Sequence, residues 1–194
     1  MNVKTILWIS HPAFSYSPYQ DQRRATKTEI NPFLDQLREL AETASKKEGT
    51  IVVLLKSFNF TKDRIEMGKE MGVPPARTRE LLSKSGVPRS RTRKMEGMEK
   101  KLERNLRALF GTRLITVGNN RTEGYEEIQK KVTEELAKKR FIVGPKTRVL
   151  SVGSYKGKCT IDYPAAFASR HKIRLREMKK YCFHSRLAKP RFRR

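Results

Sequence analysis

Apolar residues along the chain fall into short continuous runs separated by stretches with helical periodicity. Thr5 to Ile9 (Thr-Ile-Leu-Trp-Ile) and Thr50 to Leu55 (Thr-Ile-Val-Val-Leu-Leu) are apolar on both faces, as strands buried within a covered parallel sheet are. Leu114 to Val117, Arg148 to Val152 and the short Ile173 to Leu175 read as three further strands. Between them the period lengthens. Asn31 reads as an N-cap and Pro32 as the first helical residue, with Phe33, Leu34, Leu37, Leu40 and Ala41 on one stripe and Gly49 ending the element. Gly124 to Arg140 sets Tyr125, Ile128, Val132 and Leu136 on a second stripe, and Asp162 to Ser169 reads as a helix with Pro164 in its first turn. Residues 11–28 read as a loop. Strands alternating with helices predict an α/β fold, an open, mostly parallel sheet flanked by helices. Residues 1–60 and 114–178 form its core, 61–113 a basic helical insertion, and 179–194 an irregular basic aromatic tail.

The insertion contains an internal repeat. Gly72-Val73-Pro74-Pro75-Ala76-Arg77-Thr78-Arg79-Glu80-Leu81 aligns with Gly86-Val87-Pro88-Arg89-Ser90-Arg91-Thr92-Arg93-Lys94-Met95. Each copy reads as a Gly turn, a Pro entering a helix, and Arg-Thr-Arg in the first two turns. The span from Ile65 to Leu82 also has the spacing of a helix-turn-helix unit. Gly68 precedes the turn glycine Gly72, Val73 follows it, and Leu81 is expected to pack. Thr78 departs from that pattern, because an apolar residue is usual there. A recognition helix in this place would present Arg77, Arg79 and Lys84. Met95, Met98, Leu102, Leu106 and Leu109 form an apolar stripe on the next helix, and core packing is the reading for it.

Charge changes the picture more than composition does. The chain of 194 residues has 44 Lys and Arg against 20 Asp and Glu, a net charge of +24. Residues 1–60 carry 8 cations and 6 anions, and residues 114–147 carry 7 and 5. Residues 61–113 carry 15 and 7, and residues 148–194 carry 14 and 2. Two nearly neutral blocks thus suit a core, and two basic blocks suit a polyanion-binding face. A single compact domain is expected at this length. No apolar run approaches the roughly 18 residues needed to span a bilayer, and the first ten residues lack a secretory pattern. A cytoplasmic protein is expected, with no membrane partner.

The tail combines cations with rings and contains no acid. Lys179, Lys180, Arg186, Lys189, Arg191, Arg193 and Arg194 alternate with Tyr181, Phe183 and Phe192. Cations neutralise phosphate and rings stack on unpaired bases, so RNA is favoured slightly over DNA. In the insertion, Arg77, Arg79, Arg89, Arg91, Arg93 and Lys94 are the matching candidates. After the fourth strand, Gly153-Ser154-Tyr155-Lys156-Gly157-Lys158-Cys159 is a Gly-rich turn, and Lys156 and Lys158 could line a phosphate cradle there. Its spacing is not that of a Walker motif. Cys159 and Cys182 read as reduced. Cys182, His184 and His171 have no paired ligand spacing, so neither a metal nor a cofactor is expected.

The layout from the fourth strand onward resembles the isochorismatase-like cysteine hydrolases. Gly153 and Cys159 have the spacing between that family's strand-ending Gly and its nucleophile. Ala165-Ala166-Phe167-Ala168 and Lys172-Ile173-Arg174-Leu175 resemble its next helix and strand, and Lys4 to Ile9 its first strand. The resemblance implies an α/β hydrolase scaffold with Cys159 as the catalytic residue. The family's Asp after the first strand is replaced by Ser10 and His11, and its Lys after the third by Gly118-Asn119-Asn120. A thiolate nucleophile needs a base and a charged partner. The expectation therefore leans to a degenerate hydrolase-like scaffold reused for binding, with the question of catalysis left open.

The sequence thus points to a nucleic-acid-binding protein, with a ribosome or other ribonucleoprotein as a fitting partner. A cysteine hydrolase and a DNA-binding regulator are the alternatives. The sequence leaves its oligomeric state open, a homo-oligomer included.

Overall fold

A computed structural model describes residues 4–13, 26–56, 65–66, 68–84, 89–118, 124–154 and 159–183; for 82–84 and 89–92 it describes the backbone alone. In chain order the elements are β1 (Thr5–Ser10), α1 (Lys27–Ser45), β2 (Thr50–Leu55), α2 (Pro75–Lys84), α3 (Arg89–Phe110), β3 (Leu114–Val117), α4 (Tyr125–Lys138), β4 (Arg148–Ser154), α5 (Asp162–Arg170) and β5 (Arg174–Phe183). The five strands form one open sheet in the order β3-β2-β1-β4-β5, and every neighbouring pair is parallel. The expectation of an open parallel α/β sheet flanked by helices holds.

β1 lies at the centre of the sheet, and Ile6, Trp8 and Ile9 are completely buried. Side chains alternate between the faces. Leu7 and Ile9 join Val52, Leu54 and Val152 beneath α1 and α3, where Phe33, Leu37, Met95, Leu102 and Leu106 meet them. Ile6 and Trp8 face the other way, joining Val53, Ile115 and Val149 beneath α4 and α5 with Ile128, Val132 and Phe167. The segment read from sequence as a basic insertion therefore includes the crossover helix between β2 and β3. Met95 and Leu106 of α3 are 2% and 0% exposed, which bears out the core reading of that stripe.

Three boundaries differ from the sequence reading. α1 starts at Lys27, not after Asn31, because Thr26 and Glu29 cap it. The Glu29 carboxylate accepts the Thr26 backbone N–H at 2.8 Å and the Thr26 hydroxyl at 3.0 Å. Pro32 consequently lies inside the helix, and Ile30 adds to its buried stripe. β4 runs on through Ser154. β5 is not a three-residue strand followed by an irregular tail, since it extends to Phe183. Its register explains why the pattern was obscured. Ser151 and Gly153 of β4 pair with Glu177 and Cys182, so β5 advances five residues where β4 advances two. The irregularity breaks the period-2 signal that identifies a strand.

No helix among the described residues is long and apolar enough to cross a membrane.

Candidate nucleic-acid interface

The structure places the described candidates in two regions. The first is α2 with the segment that leads into it. Residues 68–70 are helical and end in a Gly turn. Gly72 adopts φ +73°, its N–H donates to the Lys69 carbonyl at 3.0 Å, and the Val73 N–H reaches back to the Gly68 carbonyl at 2.7 Å. That pair of bonds is a Schellman motif, and it needs a residue tolerant of the left-handed region at Gly72. α2 then packs on the preceding turn through Thr78, which is 8% exposed and whose hydroxyl faces Gly68. A Cβ at Gly68 would overlap the Thr78 hydroxyl. The polar residue that departs from the helix-turn-helix pattern is thus the one in contact. Leu81, expected to pack, is 50% exposed, whereas its repeat counterpart Met95 is buried. The sequence repeat does not make two equivalent environments, because Met95 lies over the sheet and Leu81 does not.

Arg77 is exposed but bound to Glu80 at 2.7 Å. Arg79, Arg93 and Lys94 are exposed, and none makes an ion pair among the described residues. Arg89 and Arg91 lie in the first turns of α3, and their side chains are outside the description.

The second region is β5. Lys179 and Lys180 are adjacent, both exposed, and lie within the register irregularity of this edge strand. Tyr181 and Phe183 turn inward and pack on the α1-side core, with the Phe183 ring 5.4 Å from that of Phe33. Both rings are half-buried, so each packs on the core and keeps part of its surface exposed. Lys180 lies over the Tyr181 ring at 5.6 Å. Lys156, Lys158, Arg186, Lys189, Arg191, Phe192, Arg193 and Arg194 lie outside the described residues.

The strands carry exposed cations that are not among the sequence candidates. Arg148, Arg174 and Arg176 are exposed, yet they were absorbed into strands and not weighed as ligands. The alternation of exposed and half-buried residues through Arg174, Leu175 and Arg176 was the available signal.

At the carboxyl end of the sheet lie the residues on which the expected resemblance to cysteine hydrolases was read. Ser10 and His11, in place of the family's Asp, are fully buried. His11 adopts φ +44°, donates its N–H to the Leu55 carbonyl at 2.8 Å, and sets its ring edge-on to Tyr163 at 5.5 Å. Burial pushes its imidazole down to about 3, so it is neutral near pH 7. Gly118 ends β3, and Asn119 and Asn120 lie outside the described residues. Cys159 is half-buried against the α4–α5 side of the core. The Tyr125 hydroxyl donates to Asp162 at 3.4 Å, and partial burial followed by the Asp162 carboxylate raises the phenol above its ordinary range. Gly153 is buried against Ser10, and residues 155–158 of the expected phosphate cradle lie outside the described residues. Cys182 is reduced and buried, and its thiol approaches the Met178 carbonyl at 3.4 Å. No group of three or more metal-ligating side chains occurs among the described residues.

Comparison of this chain with protein-family models, curated proteins and solved structures found no match.

Proposed function

We propose that this protein binds nucleic acid by setting exposed cations against phosphates on an α/β platform. One observation carries the reading. Residues 148–194 hold 14 cations and 2 anions, and the described part exposes its cations and buries or half-buries its rings. Lys179 and Lys180 exemplify this, being exposed beside the inward Tyr181 and Phe183. Charge of this density repels itself in the folded state, and a polyanion relieves that repulsion. Arg79 on α2 and Arg93 and Lys94 on α3 are further exposed cations.

Tyr181 and Phe183 are half-buried against the core, and with Phe192 they are the rings that support base stacking. The reading is one of phosphate recognition, with RNA favoured slightly over DNA. A ribosome or other ribonucleoprotein fits as the partner, because it presents folded phosphate backbone. Binding of this kind is steeply salt-dependent and weakly selective for sequence.

A DNA-binding regulator is the second reading, and the contact of Thr78 with Gly68 across a Schellman turn supports it. Fluorescence anisotropy with single-stranded RNA, single-stranded DNA and mixed-sequence duplex DNA separates the two. Phosphate recognition predicts similar affinities across sequences. A regulator predicts one preferred duplex whose advantage Arg79→Ala removes.

A further inference from the structure

Among the described residues, the α1-side face of β4 and β5 is incompletely covered. All-parallel sheets are ordinarily covered by helices on both faces. Here α4 and α5 cover one face, while α1 and α3 lie over the other. α1 meets β5 near the carboxyl end, where Phe33 contacts Phe183. Towards the amino end of the same face, Arg148, Arg174 and Arg176 are exposed and Leu150 is half-buried. The register pairs Arg148 with Arg174 and Leu150 with Arg176, and paired residues of parallel strands point to the same side.

Two arginines directly opposite each other repel. Neighbouring strands are only about 4.8 Å apart, so this pair holds two like charges side by side. None of the three arginines forms an ion pair among the described residues. Protection of a sheet edge explains cations on β5, which is an edge strand. It does not explain Arg148, because β4 is an interior strand between β1 and β5. Arg148 is also held in place, its Nε donating to the Thr5 hydroxyl on β1 at 3.2 Å. A guanidinium oriented from below is pre-organised for an oxyanion, and its planar fork suits phosphate better than an ammonium does.

We propose that Arg148, Arg174 and Arg176 form a phosphate-binding site on this open part of the sheet, and that it takes successive phosphates of a nucleic-acid backbone. The inference rests on the nucleic-acid reading and assigns its anchoring contacts to the folded sheet in place of the tail. Arg174 and Arg176 are two residues apart on one strand, so their Cα atoms are about 6.6 Å apart, a spacing that lets each face a different phosphate.

The test uses the full chain and two readouts. Thermal unfolding is followed in inorganic phosphate and in chloride at matched ionic strength. Wild-type protein should gain stability from phosphate beyond its gain from chloride. Arg148→Gln should raise the melting temperature in low-salt buffer without phosphate, and the Arg148→Gln, Arg174→Gln, Arg176→Gln triple variant should lose the phosphate-specific gain. The salt slope for binding a short single-stranded RNA should fall by about one for each arginine removed. Arg→Lys variants, which keep the charge, should retain the salt slope and lose part of the phosphate gain. An unchanged phosphate gain and salt slope in the triple variant would overturn the site even if the protein binds RNA elsewhere. A phosphate gain that depends on the arginines, with no RNA binding, would overturn the backbone assignment and the nucleic-acid reading together. It would leave a site for free phosphate.

Discussion

Gly153 of β4 lies against the main chain of Ser10 in β1 so closely that a methyl group in place of its hydrogen would overlap the Ser10 carbonyl oxygen. Its φ of +130° is also open only to glycine at low cost. The two central strands therefore touch at their carboxyl ends without a side chain between them. Ser154 secures the same corner through its hydroxyl, which donates to the Pro12 carbonyl at 2.9 Å.

Gly153→Ala should destabilise the fold by about 3 kcal/mol, combining the strained φ with the overlap. Urea unfolding monitored by circular dichroism measures it. A change below about 0.5 kcal/mol, the size expected of an ordinary surface substitution, would mean that the contact is not as close as described.

His11 makes stability depend on pH. Its folded value of about 3 lies below the ordinary 6.5, so the unfolded chain takes up a proton that the folded chain refuses. Stability from this group is full above pH 6.5 and is lost as pH falls towards 3, by on the order of 4 kcal/mol. Glu103, held low by Lys56 and Arg107 against the opposing effect of its own burial, adds loss in the same direction. His11→Asn tolerates the left-handed backbone and should flatten the dependence between pH 7 and pH 4. Denaturation midpoints at the two pH values provide the check.

The close approach of Gly68 to Thr78 predicts a coupled pair. Gly68→Ala alone should cost about 1 to 3 kcal/mol, because the new methyl meets the Thr78 hydroxyl. Combining it with Thr78→Ala should recover most of that loss. A double-mutant cycle by thermal unfolding reads the coupling, and strictly additive effects would contradict the contact.

Cys159→Ser should leave RNA affinity within about twofold of wild type, because a phosphate-binding face has no use for a thiol. Loss of an amide or ester hydrolysis on this substitution would support the hydrolase reading instead.

The strands of the sheet were legible because β1 and β2 are unbroken apolar runs, and such runs occur where both faces are covered. α3 was assigned to an insertion, since its exposed cations outnumber the residues of its buried stripe and Met95, Leu102 and Leu106 are spread over three turns. The true length of β5 was hidden by three extra residues at its irregularity, within which Lys179 and Lys180 lie. The inward turn of Tyr181 and Phe183 depends on Phe33, a contact more than a hundred residues away in sequence and outside the reach of any local pattern. The like-charge pair Arg148–Arg174 was invisible for the same reason, because strand register is a tertiary fact.

The salt dependence of nucleic-acid affinity tests the central claim most directly. For the full chain and a short single-stranded RNA, log Kd plotted against log salt from about 50 to about 200 mM should be linear and steep, with a slope reporting several phosphates neutralised. Lys179→Ala with Lys180→Ala should lower that slope by about two. Affinity that does not change with salt, or no measurable binding at about 50 mM salt, would contradict the account.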